Sequence, residues 1–222
     1  EEINNSQEFS INHAINHPVG RAADSLLNWW FSTEPQDNEG LQVKLANQLK
    51  QLCEGEQTTG MGAIILAGYL IPLYRVDQEW TKKHLIKQFY WENSKAAAMW
   101  GSFLHSPRIY PPLLNELKAP FLSISKNFNK LDNIYCEQYV RFLTQITLSK
   151  ISDFHAKELK DIYSNIDNNY LKNVAQTLFQ ALNGAGDQKT EYLENRILPF
   201  IDNYWPKDKD KQTPEASSYF AQ

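Results

Sequence analysis

Leu171-Lys172-Asn173-Val174-Ala175-Gln176-Thr177-Leu178-Phe179-Gln180-Ala181-Leu182 decides the class of fold. Its aliphatic residues recur at steps of three and four, which puts Leu171, Val174, Leu178 and Leu182 on one face of an α-helix, with Phe179 beside them. The same stripe returns in Leu41, Leu45, Leu49 and Leu52, and in Tyr135, Tyr139, Phe142 and Ile146. Tyr192, Leu193, Ile197, Phe200, Ile201 and Tyr204 form a fourth. No stretch alternates with period two between turn residues, so no sheet is expected. The expected fold is all-α: about ten helices, each of roughly ten to eighteen residues, in antiparallel pairs that build an irregular HEAT-like array or a helical bundle.

The punctuation between the stripes agrees. Pro18 stands where a helix through Arg21 to Phe31 begins, a position at which a missing N–H costs little. Thr33 to Asn38 reads as a loop. Asp77 can cap the helix carrying Trp80, Leu85 and Phe89, and Asn93 or Ser94 the one from Ala96 to Leu104. Ser106-Pro107 stops that helix and Pro111-Pro112 opens the next. Asp153, Asp167 and Asp187 precede later helices. Asn183-Gly184-Ala185-Gly186 reads as a stop with a left-handed cap. It is a weak boundary, and residues 1–222 are taken as a single helical domain.

The chain has 222 residues, of which 42% are hydrophobic and 13% aromatic, enough to build a substantial core. Its net charge of −4 disfavours a nucleic-acid-binding solenoid. Cys53 and Cys136 are too few for a disulfide framework and sit among apolar residues, so both read as buried thiols in a reducing cytoplasm. The most apolar stretch, Met61 to Leu73, falls short of the ~20 residues needed to cross a bilayer. It reads as a central buried helix. The start at Glu1-Glu2-Ile3-Asn4-Asn5 lacks the basic and apolar parts of a signal peptide. With no initiating Met and apolar residues still arriving at Tyr219-Phe220, the chain reads as a fragment of a longer protein.

Motifs that carry chemistry are sparse. His13 and His17 stand at i, i+4, but without the intervening Glu of a zinc-protease helix. Gly60-Met61-Gly62 lacks the third glycine and preceding strand of a dinucleotide site, and reads instead as a place where a neighbouring helix approaches closely. No Gly-x-Ser-x-Gly occurs. Lys207-Asp208-Lys209-Asp210-Lys211 alternates in sign and reads as a solvated loop. The tryptophans are more telling. Trp29, Trp30, Trp80, Trp91, Trp100 and Trp205 all fall on or at the end of expected helices, which suits packing with each indole N–H meeting a carbonyl. Trp29 and Trp30 are adjacent and cannot both face one core, so one of that pair is the candidate partner contact.

One order of motifs resembles a known family. It opens with His17-Pro18-Val19-Gly20-Arg21 and Leu26-Leu27-Asn28-Trp29-Trp30, then Ala67-Gly68-Tyr69-Leu70 and Glu79-Trp80-Thr81. Phe89-Tyr90-Trp91 and Met99-Trp100-Gly101-Ser102-Phe103-Leu104 follow, and Tyr204-Trp205-Pro206-Lys207-Asp208 stands near the end. This order resembles the helical C-terminal domain, a family of unknown function, of large bacterial sirtuin-like anti-phage defence proteins. The likeness is clearest from 17 to 131 and thins between Asn133 and Asn183. It implies that His17, Pro18, Gly20, Trp80, Trp91, Trp100, Trp205 and Pro206 serve structure, and that this part of the protein holds no catalytic, cofactor-binding or metal-binding residue. A sirtuin-fold module upstream would cleave NAD. The helices would sense a phage protein, restrain the enzyme or build a homo-oligomer. The function expected is thus that of a non-catalytic regulatory, sensor or oligomerisation domain in the cytoplasm. Its partners would be the upstream effector domain and a phage protein trigger. The alternatives are a helical interaction scaffold unrelated to defence, or a small helical enzyme with its site in a groove.

Overall fold

The computed structural model of the protein describes residues 9–54, 60–151, 153–211 and 213–219. The chain's start at Glu1 to Asn5 and its close at Phe220 to Gln222 lie outside the described residues. Among the described residues the regular elements are all helical and no strand forms, as the periodicity predicts. The chain gathers into two compact units, Glu1–Pro120 with Asn129–Leu131, and Phe121–Phe128 with Asp132–Gln222. The division falls at Pro120, inside a helix, rather than at the glycine-rich stretch near Gly184.

The first unit contains α1 (Ile11–Asn16), α2 (Pro18–Phe31), α3 (Val43–Glu54), α4 (Gly60–Gly68), α5 (Leu70–Val76), α6 (Gln78–His84), α7 (Ala96–Leu104) and most of α8 (Pro111–Leu122). Its centre is α4, which touches α1, α2, α3 and α7. Gly60 to Ala67 are all buried, because a helix apolar on every side is stable only when covered on every side. Each large aliphatic side chain buried there contributes about 1.5–3 kcal/mol. The stretch expected as one central buried helix is two: Met61 to Ala67, Leu70 and Leu73 are buried, but Gly68 is exposed, and the chain breaks at Tyr69, whose N–H bonds the Leu66 carbonyl in a tight turn. Among the described residues no helix is long and apolar enough to cross a membrane.

Two close approaches depend on glycine. A Cβ at Gly62 would stand 2.8 Å from Leu52 Cβ, so α3 and α4 meet there as the sequence suggests. A Cβ at Gly20 would lie 1.8 Å from the Ala14 carbonyl oxygen, backbone against backbone. The central helices are shorter than expected, seven residues each for α5 and α6. Asp77 explains the break between them. Its carboxylate accepts the Trp80 N–H at 2.9 Å as an N-cap and the Leu41 N–H at 3.0 Å, tying the start of α6 to the loop before α3.

The second unit contains α9 (Asn133–Ser149), α10 (Ala156–Asn165), α11 (Asn168–Gly184), α12 (Lys189–Tyr192), α13 (Leu198–Asn203) and α14 (Pro214–Ser218). The helices α9 and α11 pack together, and α14 covers another part of α11. Phe121, Tyr139, Phe142, Tyr163 and Phe200 are buried in this unit. Tyr163 donates to or accepts from Thr147 Oγ1 at 3.0 Å. Asp167 caps α11 through the Asn169 N–H at 2.9 Å. Asp153 does not cap α10: His155 takes that position, its N–H donating to Glu158 Oε2 at 3.1 Å. Gly186 has φ +55°, the left-handed residue foreseen after α11.

The stripe from Tyr192 to Tyr204 is not one regular helix. A π-turn at Leu193–Ile197 separates α12 from α13. Pro199 has no N–H for the Asn195 carbonyl, and its ring excludes the close approach a regular turn would need, so the turn before it widens. The mixed-charge run near the end is pinned rather than free. Lys211 Nζ donates to the Ile166 carbonyl at 2.6 Å, and Asn168 Nδ2 donates to that of Asp210 at 2.8 Å.

Candidate functional site

The sequence of α2 sorts itself into two faces. Gly20, Ala23, Leu27 and Trp30 recur at helical spacing and are buried. Pro18, Ala22, Ser25 and Trp29 recur at the same spacing on the other side and are exposed. The three N-terminal members are small, so the indole of Trp29 stands above them with 59% of its surface open. Trp30 is 6% exposed and belongs to the core. Of the two candidate contacts, the geometry therefore leaves Trp29 alone available.

The helix under Trp29 is held firmly. Asp24 and Asn28, one turn apart, are linked by a hydrogen bond from Asn28 Nδ2 to Asp24 Oδ2 at 3.0 Å. Tyr69, at the break after α4, donates to Asp24 Oδ1 at 2.7 Å. Burial, and then the Asp24 carboxylate, push the Tyr69 phenol up to about 12, so it remains a donor at any physiological pH. Phe31 stacks on Tyr69 at 5.6 Å and Trp30 lies against Phe31 at 4.7 Å. Ser32 Oγ donates to the Trp29 carbonyl at 2.6 Å and closes the helix. The spacing of Asp24 and Asn28 is visible in the sequence. Their tie to Tyr69 is not, because the partner is 45 residues away.

The other motif tryptophans pack. Trp80 Nε1 donates to the Ala46 carbonyl at 3.2 Å, Trp91 Nε1 to that of Pro120 at 3.2 Å, and Trp100 Nε1 to that of Phe89 at 2.9 Å. Trp205 and Pro206 are buried in the second unit. His17 is the N-cap of α2, its Nδ1 accepting the Val19 N–H at 3.2 Å, and Pro18 follows it exposed. The rings of His13 and His17 meet edge to face at 5.8 Å. Among the described residues no three His, Cys, Asp or Glu side chains gather into a group that could hold a metal ion.

A charged cluster that the sequence reading missed joins the C-terminal ends of α3 and α6. Glu54 Oε1 lies 2.8 Å from His84 Nδ1 and 3.1 Å from Lys87 Nζ, and Lys50 Nζ approaches Oε2 at 3.8 Å. The hydrogen bonds from His84 and Lys87 lower the Glu54 carboxyl from its ordinary 4.5 to about 2. Neighbouring Cys53 goes the other way, pushed up to about 12 by burial and then by Glu54, so it stays a thiol rather than a nucleophilic thiolate. Both cysteines are buried and neither is in a disulfide, as expected.

The Glu54 cluster has a pH signature. A carboxyl depressed in the folded state stabilises fully above its unfolded value near 4.5, and that contribution fades as the pH falls towards 2. Glu54 is one-third exposed, and solvent screening holds the gain to about 1 kcal/mol. Glu54→Gln is expected to lose that amount at pH 7 and to flatten the acid side of the stability curve between pH 4.5 and 2. Urea unfolding across that range checks it.

Comparison of the chain with family models, with curated proteins and with solved structures finds no match.

Proposed function

We propose that the chain is a non-catalytic helical recognition domain that docks a protein partner through Trp29 and thereby regulates an attached effector. The observation that carries this reading is the exposed indole on a helix face whose underside is fixed by the Asp24–Asn28–Tyr69 network. A large aromatic with only two side-chain torsions, carried on a fixed helix, loses little entropy on binding and suits the centre of an interface. The motif resemblance supplies the setting: bacterial anti-phage defence, with an upstream sirtuin-like module that cleaves NAD. In that setting a phage protein shifts the effector between states by its differential affinity for them and by no more.

Phage plating on cells expressing the full-length protein tests the reading. Trp29→Ser should leave the unfolding midpoint within about 0.5 kcal/mol of the parent, as a surface change does. It should weaken partner binding by roughly 30-fold, the loss of a 2 kcal/mol hot spot, and abolish protection. Full protection by a folded Trp29→Ser protein would overturn the role of Trp29. NAD turnover by the 222-residue chain itself would overturn the non-catalytic reading.

A further inference from the structure

The second unit contains a half-open cavity of about 670 Å³. Its floor comes from α11, where Leu178, Phe179 and Leu182 face it. Its opposite wall comes from Leu193, Ile197, Leu198 and Ile201, with Trp205 and Tyr219 closing the sides. The π-turn builds that wall. Its i→i+5 turn brings Ile197 and Leu198 round to the same side as Leu193, where a regular turn would carry one of them away. Leu198 is left 46% exposed on this lining. Widened turns of this kind recur at functional sites, and a largely apolar pocket of this size with a few polar groups is the usual form of a small-molecule site.

The polar groups are asymmetric. Lys189 is the one charged side chain among the described lining residues, and none of those residues is a carboxylate. Its Nζ donates to Asn183 Oδ1 at 2.9 Å, a neutral acceptor. Lys189 is exposed, and no described carboxylate lies within ion-pair distance of it. An apolar interior with a single cation at its rim is complementary to a chain with an anionic head.

We propose that this cavity binds a single-chain amphiphile with an anionic headgroup, the chain lying between α11 and the π-turn wall and the head meeting Lys189. This site is in a different unit from Trp29 and rests on different observations, so its failure would leave the recognition reading standing, and the reverse holds too.

Sodium dodecanoate is the probe, titrated into the 222-residue protein by calorimetry below its micelle concentration. The expected result is saturable binding of one dodecanoate per chain. Decanoate, two methylenes shorter, should bind about tenfold more weakly. Lys189→Glu, an exposed change that spares the core, should weaken dodecanoate about tenfold and leave dodecanol unaffected. Leu182→Trp, with its unfolding midpoint checked, should fill the cavity and abolish binding of both. No saturable binding, equal affinity for dodecanoate in the parent and Lys189→Glu, or unaltered binding in a folded Leu182→Trp protein would each overturn the proposal. Sedimentation of the free protein as a dimer that dodecanoate fails to dissociate, with no bound ligand, would assign the cavity to a second copy and overturn it equally.

Discussion

Trp100→Ala is expected to cost the first unit about 3–5 kcal/mol, the range for removing a large aromatic side chain from a core. Trp100 is fully buried. It meets Phe89 edge to face at 4.8 Å and Phe103 at 5.9 Å, so its removal opens a cavity beside both rings. Its indole N–H also donates to the Phe89 carbonyl, which the alanine would leave without that donor. Trp100→Phe separates the two contributions: it keeps most of the ring volume and should cost about 1–3 kcal/mol, the penalty of the lost hydrogen bond and the residual gap. Trp29→Ala is the internal contrast, with an expected change inside about 0.5 kcal/mol. Urea unfolding followed by far-UV circular dichroism reads all three. A Trp100→Ala midpoint equal to that of the parent would show that α7 does not bury its tryptophan as described.

Gly20→Ala carries the second large effect, although it adds a single methyl group. The new carbon would sit 1.8 Å from the Ala14 carbonyl oxygen, inside any real contact distance. The Cβ position is fixed by the backbone and the atom it meets is a backbone oxygen, so no rotamer change relieves the clash. The helices α1 and α2 must separate, and α4, which packs against both, loses part of its cover. Overpacking usually costs about 1–3 kcal/mol, and a backbone clash with no soft neighbour belongs at or above the top of that range, about 3 kcal/mol or more. Gly184→Ala provides the control: nothing lies within 4 Å of a Cβ there. It sits at the end of α11, where alanine is the better helix former, and should leave the second unit unchanged or stabilise it by up to about 1 kcal/mol. Equal effects of the two changes would contradict the close approach at Gly20.

The fold class was legible because its signal is local. A stripe such as Leu171, Val174 and Leu178 needs only its own spacing to declare a buried helical face, and all three are buried. Caps whose partner lies within a turn were legible for the same reason, as Asp77 and Asp167 show. Features set by distant residues were not. The Glu54 cluster joins residues 30 and 33 positions apart, and no spacing rule connects them. The π-turn in the stripe through Ile197 and Phe200 was missed for a different, local reason: Pro199 stands in the sequence, but the helical spacing around it does not show that the turn before it widens. At Trp29-Trp30 adjacency alone shows that one of the pair must leave the core. Which one leaves is fixed by the register of Gly20, Ala23 and Leu27, the buried face that also takes in Trp30.

The central claim is that a protein partner covers the Trp29 face. A photoreactive benzoylphenylalanine placed at position 29 in the full-length protein tests this directly, with Asn47, exposed on α3, as the comparison position. Irradiation in phage-infected cells should yield a cross-link from position 29 to a peptide of the effector module or of a phage protein, and none from position 47. Uncross-linked protein at both positions, or equal cross-linking from both, would contradict the account.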